Sequence, residues 1–250
     1  SQHFFDASIH YRGEFPFWNP LILCGTPFAA DPQMLAFYPP NLVRSILTFH
    51  PTPLRTHIGL GIMIVAHLLL AGSGMYCLAK YHGLGKAAAT VATTIVSFSL
   101  IGVSTASANV VLFTASAWMP WLFLLAFGAL DAATSRLFFR RSLLAGLLHL
   151  LMVLSGHPQF IIYVTITTFV AAFVYTTFSF SKNAHSKQIP INTGLKRLSS
   201  YYAITVGISA LGSLMLTLPA NEFVALSMRS ALSAKAQEER YVFVLSGLQS

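Results

Sequence analysis

Five ionisable side chains in the polar stretches of this sequence have the right chemistry for a reactive site: Asp6, Glu14, Asp31, His157 and Glu222. Carboxylates can act as general bases, or they can hold a divalent cation on a phosphate group. Three aromatic residues accompany them, and aromatic faces suit sugar rings: Phe15, Phe17 and Trp18. The plainer interpretation is that each carboxylate is solvated and that each ring anchors a loop at a membrane interface. For any single residue the plainer interpretation is favoured.

The elements that must position these side chains are apolar segments without Asp, Glu, Lys or Arg. Six of them occur: His57–Ala79, Ala87–Ser104, Val110–Leu130, Leu143–Leu154, Phe160–Phe180 and Tyr201–Leu218. Of the 250 residues 55% are hydrophobic and 9% charged, whereas ordinary soluble domains have about 25% charged residues. The sequence therefore predicts an all-α membrane protein of about six transmembrane helices. The fourth segment is too short to span alone, but snorkelling of Arg140 and Arg141 would extend it.

Two histidines lie inside the apolar segments, His67 in the first and His149 in the fourth. Neither they nor the other histidines and cysteines show the spacing of a zinc site. A neutral histidine bonded to a neighbouring helix is the favoured interpretation for both.

The loop charges predict an orientation for the helices. Nine of the fifteen basic residues and a single acid, Asp131, lie in the loops after the first, third and fifth segments. The other face has six basic and six acidic residues, so the whole formal charge of +8 lies on one side. The positive-inside rule makes that side cytoplasmic. The excess of basic residues is thus explained by the orientation of the helices in the membrane. A nucleic-acid partner is not expected.

Three regions follow: an outer loop over residues 1–55, a transmembrane domain over residues 56–219, and a second outer loop over residues 220–250. The first loop is rich in proline and aromatic residues, so an ordered and mostly non-helical loop is expected. Within it, residues 41–50 are predicted to form a short interfacial helix with Asn41 as its cap. The chain starts without Met and stops within the second loop, so we expect both ends to be cuts in a longer protein.

Several motifs of this sequence carry a family resemblance. Gly13–Pro20 (GEFPFWNP) is followed by Cys24–Phe28 (CGTPF), Ala30–Gln33 (ADPQ) and Phe37–Leu42 (FYPPNL). This block resembles the first outer loop of bacterial YfhO-like membrane proteins, which belong to the GT-C class of polytopic glycosyltransferases that use lipid-linked sugars. Further similar stretches follow in the family's order: Trp118–Pro120 (WMP), Ser155–Gln159 (SGHPQ), and Leu218–Glu222 (LPANE) with Ser227–Ser230 (SMRS).

The resemblance implies transfer of a sugar from a polyprenyl-phosphate donor at the outer face of a bacterial inner membrane. It implies Asp6 as base or as ligand of a divalent cation (Mg²⁺ or Mn²⁺), Asp31 and His157 in contact with phosphate or acceptor, and Glu222 and Arg229 closing the site. The other residues expected to bind substrate are Glu14, Trp18, Asn19, Gln33 and Gln159. Family members carry a further helix before this loop and continue with more helices after this stretch, so the resemblance covers an N-terminal module.

Two other functions stay open at this point. A shortened member of an enzyme family can persist as a non-catalytic subunit that scaffolds a larger membrane complex. A transporter or lipid flippase has less support, because no apolar segment carries a charge and no inverted repeat is visible in the sequence.

Overall fold

The computed structural model describes residues 1–22, 24–99, 109–183 and 191–226, and the regular elements in these ranges are helical. A π-helical turn (Ser8–Arg12) and a 3₁₀ turn (Pro32–Met34) stand among the α-helices of the N-terminal loop. The α-helices are α1 (Gln2–Ala7), α2 (Pro39–Leu47), α3 (Pro53–Tyr81), α4 (Lys86–Phe98), α5 (Val110–Ser116), α6 (Met119–Leu130), α7 (Ser135–Leu154), α8 (Pro158–Asn183) and α9 (Ile191–Leu226).

Five stretches of the described chain are long and apolar enough to cross a membrane. They are α3, α5 with α6, α7, residues Pro158–Phe178 of α8 and residues Asn192–Glu222 of α9. The shortest of them, α7, has 20 residues, and at about 1.5 Å per residue this matches a hydrocarbon core about 30 Å thick. The prediction of an all-α, multi-pass membrane protein is confirmed.

The second predicted segment, Ala87–Ser104, corresponds to α4, which has 13 residues. At about 1.5 Å per residue it is only about 20 Å long. The predicted segment continues to Ser104, but residues 100–108 lie outside the described part of the chain. A sixth span at this position therefore stays a prediction.

Two helices extend furthest beyond the apolar runs that predict them. Helix α7 begins at Ser135, where the hydroxyl of Thr134 accepts a hydrogen bond from the Leu137 amide (3.3 Å). Helix α9 continues past Leu218 to Leu226, with Pro219 inside it. The first residues of the predicted second outer loop are thus helical, and Glu222 projects from a helix. The rest of that loop, including Arg229, lies outside the described residues.

The N-terminal loop covers one end of the bundle, which we call the loop end. It contacts the start of α3 at Thr56 and the turn between α7 and α8 at Gly156. It also packs with Leu216 of α9 in one apolar cluster. At the opposite end, the far end, Arg197 donates to the carbonyl oxygens of Leu130 and Ala132 and so satisfies the end of α6. Asp131 at the far end accepts hydrogen bonds from Tyr81 and Tyr175.

A polar contact at His149 ties three helices together inside the bundle. The Thr165 hydroxyl donates to the Ile161 carbonyl (2.7 Å), so it accepts from His149 Nε2 (2.8 Å). His149 Nδ1 then accepts from the Ser209 hydroxyl (2.9 Å). The prediction of a histidine bonded to neighbouring helices is confirmed for His149.

Helices α7 and α9 approach each other closely at glycines. A Cβ atom added at Gly146 would lie 2.9–3.0 Å from Ile208, and one added at Gly212 would lie 2.4 Å from Leu150. In lipid the hydrophobic effect does not drive helices together, so their association depends on dispersion contacts. Small residues at such positions allow the close approach that these contacts need.

We predict that Gly146→Ala destabilises the bundle by about 1–3 kcal/mol, because the branched Ile208 side chain cannot rotate away from an added methyl group. The measurement is the free energy of unfolding of the purified chain in bicelles. Gly207→Ala is the matched control, since an added Cβ there meets nothing within 4 Å. Equal stability changes for the two variants would contradict the close packing of α7 on α9.

Candidate functional site

Asp6 lies fully buried at the end of α1 and is bound on both carboxylate oxygens. Arg44 of α2 donates to Oδ1 from Nη2 (2.7 Å) and to Oδ2 from Nη1 (2.9 Å). The Thr56 hydroxyl, in the first turns of α3, donates to Oδ2 (2.8 Å). One ion pair therefore joins the three helices α1, α2 and α3.

This environment makes Asp6 a weak base. Burial alone would raise the pKa of Asp6, but the hydrogen bonds from Arg44 and Thr56 and the charge of Arg44 outweigh it and hold the pKa below its ordinary value. A carboxylate with a lowered pKa is a weaker base, so it takes a proton less readily from the molecule that accepts the sugar. The catalytic role implied for Asp6 by the resemblance stays a prediction, while its geometry is that of a structural ion pair.

Further polar groups complete the shell around Arg44. Its Nε donates to the side-chain oxygen of Asn41 (2.8 Å), and Asn41 donates in turn to the Leu35 carbonyl (3.1 Å). Asn41 lies inside α2, so the prediction that it caps this helix is wrong. Pro39 and Pro40 start the helix two residues earlier, because proline at the first helical positions lacks an N–H that would otherwise need a partner.

A second connection runs from the loop into the membrane-spanning helices. His67 Nδ1 faces the Met63 carbonyl (2.7 Å), which can only accept, so Nδ1 carries the proton. His67 Nε2 then accepts from the Tyr38 hydroxyl (2.6 Å), and the Tyr38 oxygen accepts from Trp118 Nε1 (2.8 Å). Trp118 sits at the break between α5 and α6, and its hydrogen bond joins that break to the N-terminal loop.

The structure brings two of the predicted site segments together where the loop meets the turn between α7 and α8. Gly156 has φ +85°, and a Cβ atom there would lie 1.8 Å from the Pro32 carbonyl oxygen. The neighbours of that contact are Asp31 and His157. Asp31 accepts from the Gln33 amide (2.9 Å), and His157 Nδ1 accepts from the Phe160 amide (3.4 Å).

Glutamines accompany both sides of this contact. Gln33 follows Pro32 in the loop and Gln159 lies in the first turn of α8, and both side chains are exposed. Since only glycine fits at position 156, the two segments and their polar residues keep a fixed spacing.

A cavity of about 700 Å³ opens between the loop and the last turns of α9. Its described lining comprises Phe17, Trp18, Pro27, Ala29, Ala30, Phe37, Met215, Pro219 and Glu222. Glu222 is the single charged residue in that lining. The cavity thus combines aromatic and apolar walls with one exposed carboxylate.

Asn19 positions the aromatic wall. It is buried, its side-chain oxygen accepts from the Leu21 amide (2.9 Å), and its backbone pairs with Thr26 through two hydrogen bonds of 2.8 Å. The pairing brings Trp18 next to Pro27 and lays the indole against Gly25, where an added Cβ would lie 2.4 Å from the ring. Asn19 is therefore placed to hold the cavity wall, whereas Glu14 is exposed and does not belong to the described lining.

A divalent cation does not fit the surroundings of Asp6. Both of its oxygens already face the guanidinium of Arg44, and that positive charge opposes a second cation. Among the described residues no three His, Cys, Asp or Glu side chains gather closely enough to hold a metal ion. We therefore assign no step to a metal.

We predict that Asp6→Asn destabilises the folded loop end by about 3–5 kcal/mol, because it leaves the Arg44 charge buried without a counter-ion. The measurement is the free energy of unfolding in bicelles at pH 7. Asp6→Leu combined with Arg44→Met is the control, since it removes both charges and should recover most of the loss. A loss from the double variant as large as that from Asp6→Asn would contradict the ion-pair assignment.

The pair of Asp6 and Arg44 also makes the free energy of unfolding depend on pH. Since the folded-state pKa of Asp6 lies below its ordinary value of 3.8, its stabilising contribution is present above about pH 4 and is lost as the pH falls through the folded pKa. The Asp6→Asn variant should therefore lack this loss of stability at low pH.

Comparison with known proteins does not assign this geometry to a family. No family model, curated protein or solved structure matches the chain. Its function must therefore be inferred from the arrangement of the described residues.

Proposed function

We propose that this chain is a membrane glycosyltransferase, or a module of one, that uses a polyprenyl-phosphate sugar, and that the sugar binds in the loop-end cavity. The observation that carries this proposal is the meeting of Trp18, Phe17 and Glu222 around one opening. These residues are about 200 positions apart in the sequence, and only the packing of the loop on α9 joins them.

The walls of the cavity suit a sugar ring. A volume of about 700 Å³ lies within the range of about 300–1,000 Å³ typical of small-molecule sites. Aromatic side chains present flat apolar faces that can stack on the C–H face of a hexose, while a carboxylate accepts hydrogen bonds from its hydroxyl groups. Trp18 is 55% exposed and Phe17 is 67% exposed, so both rings have surface available for a ligand.

The position of the cavity fits a lipid-linked donor. It lies at the end of α9, a helix apolar enough to cross the membrane, and so near the depth of the lipid headgroups. A polyprenyl chain can remain in the hydrocarbon while its sugar reaches the cavity from the same side.

Glu222 is the base in this proposal. The acceptor hydroxyl attacks the anomeric carbon, and the new C–O bond forms as the bond from that carbon to the phosphate oxygen breaks. The electron pair of the broken bond leaves with the phosphate, and the hydroxyl proton passes to the Glu222 carboxylate. Asp31 and His157, which flank the contact of the loop with Gly156, are proposed to contact the phosphate or the acceptor.

The ion pair of Asp6 favours the alternative, a non-catalytic subunit of a larger complex. The residue that the resemblance implies as base is held by Arg44 and Thr56, which is what a scaffold requires. Stoichiometric co-purification of partner chains, without binding of a lipid-linked sugar, would support this alternative.

The binding step can be tested with polyprenyl-phosphate glucose that carries a diazirine on the sugar. We predict light-induced labelling of peptides that contain Trp18 or Met215–Glu222, and a reduction of about ten-fold or more in Trp18→Ala, because an aromatic side chain that a ligand covers is a typical binding hot spot. Mass spectrometry of the labelled chain locates the sites.

Asn221→Ala serves as the control for binding, since Asn221 is exposed beside Glu222 and does not belong to the described cavity lining. Two outcomes would refute binding of the sugar in this cavity. One is labelling that persists in the presence of excess unmodified donor, and the other is unchanged labelling of the Trp18→Ala variant.

The chemical step has its own test. We predict that Glu222→Gln lowers transfer of radiolabelled glucose from the polyprenyl phosphate to acceptors in a membrane extract by about 10²–10⁴-fold, because the amide cannot take the proton. Photolabelling by the same donor should remain within about two-fold of the parent, since the amide keeps the hydrogen-bonding shape. Full transfer activity in Glu222→Gln would rule out Glu222 as the base.

A further inference from the structure

The exposed face of α7 has an ordered composition along its length. Arg136 and Arg140 lie one turn apart near the start of the helix, with Phe139 beside them. Leu143, Leu144 and Leu147 continue the same face at helical spacing. Two cations are thus followed by an apolar stripe on one side of one helix.

All six side chains of this face are exposed in the described structure. Phe139 is 56% exposed and Leu147 is 47% exposed, so neither packs fully against another helix. From Arg136 to Leu147 the helix rises about 16 Å, which is about half of a hydrocarbon core about 30 Å thick. The length of the face is therefore that of one lipid leaflet.

The guanidinium groups of the two arginines can reach headgroup depth. Helix α7 has 20 residues, so it must use its whole length to cross the hydrocarbon core, and Arg140 is about 8 Å from its start. A guanidinium at that depth extends towards the interface, where lipid phosphates lie.

Neither arginine has a hydrogen-bond or ion-pair partner among the described residues, in contrast to their neighbour Arg141, which donates to the Gly128 carbonyl. Like charges four residues apart repel each other, and cations near a helix N-terminus oppose the helix dipole. The first turn of α7 contains no acidic residue that would compensate. An external anion would remove both unfavourable interactions.

We propose that this face of α7 is a binding site for an anionic phospholipid. The guanidinium groups of Arg136 and Arg140 bind the phosphodiester, which accepts paired N–H donors from arginine. The acyl chains lie along Leu143, Leu144 and Leu147. Two cations facing one headgroup favour a lipid of net negative charge, such as phosphatidylglycerol, over zwitterionic phosphatidylcholine.

The test uses the full chain reconstituted in bilayers of phosphatidylcholine with spin-labelled phosphatidylglycerol or spin-labelled phosphatidylcholine. Electron paramagnetic resonance measures the association constant of each lipid relative to the bulk. We expect a preference for phosphatidylglycerol that falls about five-fold or more in Arg136→Gln with Arg140→Gln, because basic residues close to the membrane surface attract anionic lipids.

The control is Arg12→Gln with Lys86→Gln, which removes the same charge from two exposed residues outside this face. It should leave the preference within about two-fold of the parent, since it leaves both arginines of α7 in place. Equal association of the two lipids with the parent chain would overturn the proposal, and so would an equal loss from the two double variants. Either result leaves the transferase proposal untouched, because the loop-end cavity lies at the other end of the bundle.

Discussion

The buried pair of Asp6 and Arg44 is the interaction on which the shape of the loop end depends. Removing two charges from water costs several kcal/mol for each ion, and the pair is stable only because further donors and acceptors complete its geometry. Thr56 supplies one of them from α3 and Asn41 another from α2. Through this network α1 and α2 take a fixed position on the start of α3, and the aromatic residues that follow α1 are presented towards α9.

The membrane character of the chain was predictable from its apolar runs, because charge inside a lipid-spanning helix is costly at any position. The ends of the helices were less predictable. The first residues of α7 include three arginines. A criterion based on hydropathy leaves these residues out of the predicted span. Their long side chains can nevertheless reach the interface from a backbone position inside the helix. Beyond Leu218, α9 continues through Pro219 and Asn221, although the apolar run ends there and proline removes a hydrogen bond from a helix interior; the sequence predicts partial helix after Asn221 but not its continuity with the span.

The candidate site also has features that were predictable from the sequence and features that were not. The types of its residues were predictable, since Trp18, Asp31, His157 and Glu222 stand out in an apolar chain. Their position at one membrane boundary follows from the predicted topology, but their individual contacts do not, because the contact of Gly156 with Pro32 joins segments more than 120 residues apart in the sequence. The partner of Asp6 had one signal, Arg44, which is the one charged residue of helix α2. The hydrogen bond between Tyr38 and His67 had a signal on one side only: a histidine in an apolar segment predicts a polar partner, but nothing marks Tyr38, since tyrosine is common at membrane interfaces.

The hydrogen bond from Trp118 to Tyr38 joins residues 80 positions apart, and this has a consequence for biogenesis. A ribosome adding about 5–20 residues per second produces the tryptophan about 4–16 s after the tyrosine. Asp6, Arg44 and Thr56 emerge much earlier, so their ion pair can form while α3 is being inserted. The Tyr38 hydroxyl, by contrast, lacks the indole donor until the break between α5 and α6 has entered the bilayer. The loop end therefore matures in two stages, and a membrane insertase or chaperone would encounter the first stage as an assembly intermediate.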